Sequence, residues 1–452
     1  MKNIISYIYL FLIFQIVQAQ DYTLDDCIKI AIEGKKTVLS AALNVKSASF
    51  GLKASYSSLL PSIQGLAGAG RTIFPEQENI NLNFEDITYD IENITYDTIR
   101  TNKFDNYSAG ISLNQKLYDG GRSLNKVKQA RITFDIAQLN QRLITTQVIQ
   151  KVTVSYYSLL QAKKLLDVSE RNLDMSMQQV ALVKKQFDLG VVKRNDLLKA
   201  EVAQGQARVD MLNKKTNLHN ARRVLFNDMG LQDFGQKINV VEDDWIASKI
   251  PSSGEILQLL KEQNPNILVS KSQVELSNIS HQLIKGLRLP SLSTSLNYSA
   301  NSQSSNELIK ALSDDWSMGV NLSLTLPLYF GNSLSSQQQQ ATLSNQQAEY
   351  SYTTLLNDFR VQAELIREAL INYADIIPLN QSIVLSAEED LKLVRERYSL
   401  GSATILELLD AQVSLIRSKS NLINVVHDAR IQEANLNAIL GTLDLQYKPK
   451  EK

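Results

Sequence analysis

Two long stretches of this chain are nearly free of residues that stop a helix. Residues 122–189 contain neither Gly nor Pro, and residues 332–400 contain no Gly and one Pro, Pro378. In the first, apolar residues recur at helical spacing: Leu124, Val127, Ala130, Phe134 and Ala137, then Val148, Val152, Tyr156 and Leu159. At ~1.5 Å per residue such a stretch runs to roughly 100 Å. Helices of globular domains average about 11–12 residues, so these segments are expected to be coiled-coil-like rods. Pro378 lacks the N–H that its turn needs, which predicts a kink or break near Ile376–Ile377.

The rods belong to a plan that is written twice. Leu60-Pro61-Ser62 recurs as Leu289-Pro290-Ser291. "YSAGISLNQKLYDGG" (107–121) recurs loosely as "WSMGVNLSLTLPLYFGN" (316–332). "FDLGVVKRNDLLKAE" (187–201) recurs as "YSLGSATILELLDAQ" (398–412), and "LFNDMG" (225–230) as "LNAILG" (436–441). Each half reads as helix, strand, strand, long helix, turn, helix. The expected division is a leader at 1–19, a first repeat at 20–230, a connection at 231–251, a second repeat at 252–441 and a tail at 442–452.

Strands are expected at about 61–73, 107–118, 290–301 and 316–328. In the fourth, Val320, Leu322, Leu324, Leu326 and Leu328 alternate with Asn321, Ser323, Thr325 and Pro327. In the third, Leu292, Thr294, Leu296, Tyr298 and Ala300 alternate with Ser293, Ser295, Asn297 and Ser299. Ile111, Leu113 and Leu117 repeat the theme more weakly. Small polar residues at every other position suit a membrane barrel with a wet interior; a soluble sandwich is the other reading. Four strands cannot close a barrel, and open edges in lipid cost several kcal/mol per group. A membrane barrel therefore needs several chains. The strands alone do not give their number.

Residues 4–17 form an apolar run after Lys2, and "VQA" precedes Gln20. This is the pattern of a secretory signal peptide. Gln20 is not Cys, so no lipid anchor is expected at that junction. The single cysteine, Cys27, rules out an intrachain disulfide and reads as a buried apolar residue. With 47 basic and 47 acidic residues the chain gives no sign of a nucleic-acid partner. His219, His281 and His427 are scattered, no phosphate loop or nucleophile motif occurs, and neither an enzyme nor a cofactor or metal site is expected. Residues 71–106 carry eight acids against three basic residues and read as a solvated loop between strands.

Taken in order and duplicated, "LLPSI", "RLPSL", "LYDGGR", "QFDLGVVKRNDLLKAE" and "RYSLGSATILELLDAQ" resemble the TolC-like outer membrane efflux proteins. The resemblance covers nearly the whole chain after the leader. It implies an α+β membrane protein: a homotrimer with a 12-stranded β-barrel, four strands per chain, in the outer membrane. Long helices would continue it as a periplasmic α-barrel. An adaptor and an inner-membrane transporter would complete an efflux or type I secretion duct. The segment at 231–251 would be equatorial. A periplasmic coiled-coil scaffold or adaptor without a pore is the competing reading.

The resemblance also assigns roles at the two helix-hairpin tips. Glu407 and Asp410 would ring the periplasmic entrance. Tyr398 and Asp196 would help to hold it closed. Leu189-Gly190 and Leu400-Gly401 would meet the adaptor. The family's usual arginine two residues after the second Gly is Ala403 here, which leaves Lys193 or Arg194 as candidate substitutes. Plainer readings stand beside these. Thr404 and Glu407 form a capping-box pattern, Asp196 suits a helix N-terminus, and Tyr398 suits a packed core.

Overall fold

A computed structural model describes residues 21–74, 77–80, 96–99, 103–231, 239–241 and 249–447. The leader at 1–19 lies outside them, as do parts of the loop at 71–106, of the connection at 231–251 and of the tail at 442–452. In chain order the elements are β1 (Asp21–Tyr22), α1 (Leu24–Gly34), α2 (Lys36–Ser55), β2 (Ser62–Ile73), β3 (Gln77–Ile80) and β4 (Tyr96–Ile99). Then come β5 (Lys103–Tyr118), α3 (Arg122–Asp188), α4 (Arg194–Met229), β6 (Asn239–Val240), α5 (Ser253–Gln263) and α6 (Pro265–Gly286). The last are β7 (Ser291–Ser302), α7 (Leu308–Asp314), β8 (Trp316–Thr325), α8 (Ser333–Ser399) and α9 (Ile405–Leu440). Helices α3 and α8 are each 67 residues long, and α4 and α9 each 36, so the elements come in matched pairs.

The chain forms two compact units, each drawing on both halves of the sequence. One holds residues 48–134 and 275–347 and is built on an antiparallel sheet of order β2-β5-β7-β8. Residues directly opposite in such a sheet share a face. Ile63, Leu113, Leu296 and Val320 are opposite one another. Gly65, Ile111, Tyr298 and Met318 form the next row, and Ala67, Ala109, Ala300 and Trp316 the one after. The other face carries Ser62, Asn114, Ser295 and Asn321, then Gln64, Ser112, Asn297 and Gly319. The sheet is therefore apolar on one side and lined with small polar groups on the other. Tyr298 stacks on Trp316 at 5.5 Å, the diagonal neighbour on the apolar face. Its hydroxyl donates to the Leu312 carbonyl of α7.

The strand limits differ from expectation at three points. β5 begins at Lys103, before Tyr107, because Arg71 and Asp105 join its first residues to β2 in a bidentate ion pair. β8 ends at Thr325, so Leu326 and Leu328 continue the alternation beyond the ladder. Pro327 has no N–H to donate there. The loop at 71–106 contains a short hairpin, β3–β4. At the strand-to-helix junction in "LYDGGR", the Asp119 carboxylate accepts from the Ser123 N–H at 2.9 Å and so caps α3.

The other unit holds residues 1–47, 135–274 and 348–452. Val148, Val152, Tyr156 and Leu159 of α3 are all buried, with Leu24, Cys27 and Ile28 of α1 and Leu225 and Phe226 of α4. The Tyr156 hydroxyl donates to the Val241 carbonyl at 2.6 Å, beside the parallel pair β1–β6. Burial, with the charge of Asp26 second, pushes the Cys27 thiol up to about 12. Arg142 clasps the C-terminal turn at Leu443–Tyr447, with Nε 2.7 Å from the Asp444 carboxylate and a bond to the Gly441 carbonyl. Of the kink or break expected at Pro378, the break does not occur: α8 runs through it as one helix. A proline removes one intrahelical bond, here to the Ala374 carbonyl, and the rest of a long, packed helix carries through.

Candidate functional site

Helices α8 and α9 meet in a turn that the local sequence dictates. Gly401 sits at φ +74°, a left-handed conformation that suits glycine. Its N–H donates to the Tyr398 carbonyl at 3.0 Å, and that of Ser402 to the Arg397 carbonyl at 2.9 Å. This satisfies the last carbonyls of α8. Thr404 then opens α9 with a complete capping box: the Glu407 N–H donates to Thr404 Oγ1 at 3.2 Å, and the Thr404 N–H and hydroxyl donate to Glu407 Oε1 at 3.3 and 3.1 Å. The α3–α4 turn has the same backbone. Gly190 lies at φ +75°, and the N–H groups of Gly190 and Val191 donate to the carbonyls of Phe187 and Gln186. Lys193 caps α4 without a side-chain bond, so only the second tip is boxed. Leu189 and Leu400 are 80% and 82% exposed at the turns.

Behind the turns, the ends of α3, α4, α8 and α9 share one core. Val183, Ala200, Leu391, Val394, Ile405 and Leu408 pack around Tyr398, which is 8% exposed. The Tyr398 hydroxyl donates to Gln186 Oε1 at 3.1 Å, tying the second hairpin to the first. Burial raises the phenol above its ordinary value, and the negative charge of Asp196 adds to it. Asp196 is therefore near Tyr398 without being its hydrogen-bond partner. Ala403 packs at the edge of this core. Among the described residues neither Lys193 nor Arg194 makes an ion pair.

The cation beside Glu407 is Arg397. Its Nη2 lies 3.3 Å from Glu407 Oε2 and donates to the Ser402 carbonyl at 3.1 Å. Asp410, one turn beyond Glu407, is exposed and makes no ion pair among the described residues. It lines an open groove of about 730 Å³ between α4 and α9, with Lys199, Leu406 and Val413 on the walls. Gln412 is buried in the groove floor and donates to Asn172 Oδ1 at 2.9 Å and Ser176 Oγ at 3.2 Å.

The structure thus places Asp196 where its charge reaches Tyr398 and sets Glu407 and Asp410 on one exposed stretch of α9. The sequence reading missed Gln186 and Arg397. The signal was present in the duplication, since both stand four residues before the tip glycine. Among the described residues no cluster could hold a metal ion, and no helix is long and apolar enough to cross a membrane.

Comparison with known proteins gives a consistent result. Residues 27–231 and 256–442 match the profile described as "Outer membrane efflux protein". The chain is 24% identical over 358 residues to outer membrane protein TolC of Vibrio cholerae, covering 76% of this chain and 78% of that protein. It is 25% identical over 344 residues to the cation efflux system protein CusC of Escherichia coli, covering 74% and 73%. A crystal structure of CusC superposes with a TM-score of 0.80 at 20% identity, covering 93% of this chain and 92% of that one. The outer membrane protein VceC of Vibrio cholerae gives 0.77 at 16% identity, covering 92% and 96%.

Proposed function

The chain belongs to the outer membrane efflux protein family, and on that premise we propose that three copies form the exit duct of a tripartite efflux or secretion assembly. Substrates would enter from an inner-membrane transporter and leave across the outer membrane. The observation that carries this reading is the cross-strand register. It sets Ile63, Leu113, Leu296 and Val320 in one apolar row and Gln64, Ser112, Asn297 and Gly319 in a polar row behind it. A sheet with one face suited to lipid and one to water, open at β2 and β8, is a segment of a shared barrel. The comparisons give no support to the pore-less adaptor reading.

In this assembly Glu407 and Asp410 line the periplasmic mouth, and Tyr398 and Asp196 hold the tips together. Rings of carboxylates favour cations. Replacing both acids with Ala should abolish block by La³⁺ added from the periplasmic side in planar bilayers, and should reduce cation preference. Unchanged block and selectivity in a trimer that still forms would remove these acids from the mouth.

Leu189-Gly190 and Leu400-Gly401 are the exposed ends available to a periplasmic adaptor. Gly190→Val or Gly401→Val forces a β-branched residue into the left-handed region, at a cost of about 1–2 kcal/mol. Capture of the adaptor should weaken while trimers still assemble. Loss of the trimers themselves would assign the turns to folding instead.

A further inference from the structure

We propose that Arg397 sets the charge of the entrance by cancelling Glu407, so that of these two acids Asp410 alone carries an uncompensated negative charge. This rests on the reading of the tips as the duct's mouth and goes beyond it. That reading treats Glu407 and Asp410 alike; the geometry makes them different. Both oxygens of Glu407 are engaged: Oε1 accepts from the Thr404 N–H and hydroxyl, and Oε2 faces Arg397 Nη2 at 3.3 Å. Asp410 lies one helical turn further on, exposed, with no ion pair among the described residues.

The position of the arginine follows from the turn. Arg397 occupies the last turn of α8, where a cation complements the helix dipole. The turn returns the chain so that Ser402 donates both its N–H and its hydroxyl to the Arg397 carbonyl, at 2.9 and 3.0 Å. The guanidinium then reaches back to the Ser402 carbonyl at 3.1 Å. Glu407 is fixed from the other side by the capping box. The guanidinium and carboxylate are therefore each held by a separate backbone motif and meet across the turn. The first tip has no such pair: Gln186 stands at the position of Arg397 and Asp196 at that of Glu407, each counted from its glycine.

Stability is not the main consequence. The side chains are 54% and 44% exposed, and exposed pairs of this kind contribute little. The consequence lies in the field. An ion a few ångströms away meets a dipole at Arg397–Glu407 and a full charge at Asp410. Separate charges act over about 8 Å at physiological salt, whereas a close pair of opposite charges largely cancels within that range. Removing the guanidinium would leave both Glu407 and Asp410 uncompensated.

Arg397 is thus a positioning and charge-balancing residue. The test is single-channel recording of the trimeric protein in planar bilayers, with La³⁺ added on the periplasmic side. Arg397→Gln should tighten La³⁺ block by roughly tenfold and shift the reversal potential toward cation selectivity. Arg397→Lys should restore most of the original behaviour. Glu407→Gln alone leaves the guanidinium unpaired and should weaken block about as much as Asp410→Asn, by roughly tenfold. In the Glu407→Gln background, Arg397→Gln should bring block back to the wild-type level, because a neutral pair replaces the cancelled one while Asp410 keeps its charge. If Arg397→Gln assembles poorly, the Arg397→Gln/Glu407→Gln double variant still decides: block as weak as in Glu407→Gln alone overturns the proposal. If Asp410→Asn weakens block but Arg397→Gln leaves it unchanged, the mouth reading survives and the role of Arg397 falls. If Asp410→Asn, Glu407→Gln and Arg397→Gln all behave as wild type, both fall.

Discussion

The hydroxyl of Tyr398 is the smallest feature that joins the two hairpins at the tips. It is the direct hydrogen bond from the α8 end to the α3 end, made to Gln186 at 3.1 Å inside an apolar core. Tyr398→Phe keeps the packing and leaves Gln186 Oε1 without this donor, at a cost of about 1 kcal/mol. Tip opening should become more frequent in single-channel records while trimers form normally. No change in opening would mean that the surrounding apolar contacts alone hold the hairpins together. The pH dependence has a definite sign. Burial and Asp196 raise the folded-state pKa above that of the exposed phenol. The contribution is complete at neutral pH, below the ordinary value of 10.0, and is lost as the pH rises through the folded value. The wild-type tip should therefore loosen only in strong alkali, and Tyr398→Phe should remove that alkaline step. The sequence marked Tyr398 and Asp196 through their places in the tip motifs. It did not reveal Gln186, because the pairing depends on how two hairpins dock, and no local pattern records that. Glu407 was legible as a capping residue because Thr404 stands three positions before it. Its pairing with Arg397 required the closed turn to be seen.

At the scale of elements, legibility followed the strength of the periodic signal. The long helices could be read from the absence of glycine, and β7 and β8 from strict alternation. β2 was harder, since Gly65, Ala67 and Ala69 on one face and Gly68 and Gly70 on the other give almost no contrast. Its start was legible only from Pro61. Gly110 of β5 has a reason that no pattern states: a Cβ there would lie 2.5 Å from the Tyr298 carbonyl oxygen of β7. Pro378 shows the opposite limit, where a local breaker lost to 67 residues of continuous helix. The register makes the two faces testable. Leu324 stands opposite Leu292 on the apolar face, and Ser323 opposite Ser293 on the polar face. Leu324→Arg should cost ~2–4 kcal/mol if it lies near the bilayer midplane, and Ser323→Arg much less. Heat-resistance of the trimer in detergent gels reads both. A greater loss for Ser323→Arg would mean that the polar row, not the apolar one, faces lipid.

The whole molecule is constrained by what four strands leave open. Among the described residues, β2 and β8 each pair on one side only. In lipid, every outward N–H and C=O of those edges would cost several kcal/mol, far more than a typical domain has in reserve. The edges must meet other copies, and the copies must close a ring. Two copies would give eight strands, a barrel whose interior side chains fill. The polar rows of Ser, Asn, Gln and Gly suit a water-filled lumen. Three copies would form the 12-stranded barrel that the family resemblance implies. The protein should therefore behave as an obligate homotrimer, with β8 of one copy against β2 of the next. Cysteines placed at Leu324 and on the facing part of β2, in a Cys27→Ala background, should cross-link only between chains. In gels the product should be a ladder ending at three. Unfolding in detergent should release monomers and lose the β-signal of circular dichroism in one transition, with a midpoint that rises with protein concentration. A monomer that keeps its β-signal, or a ladder that stops at two, would show that some other element covers the edges.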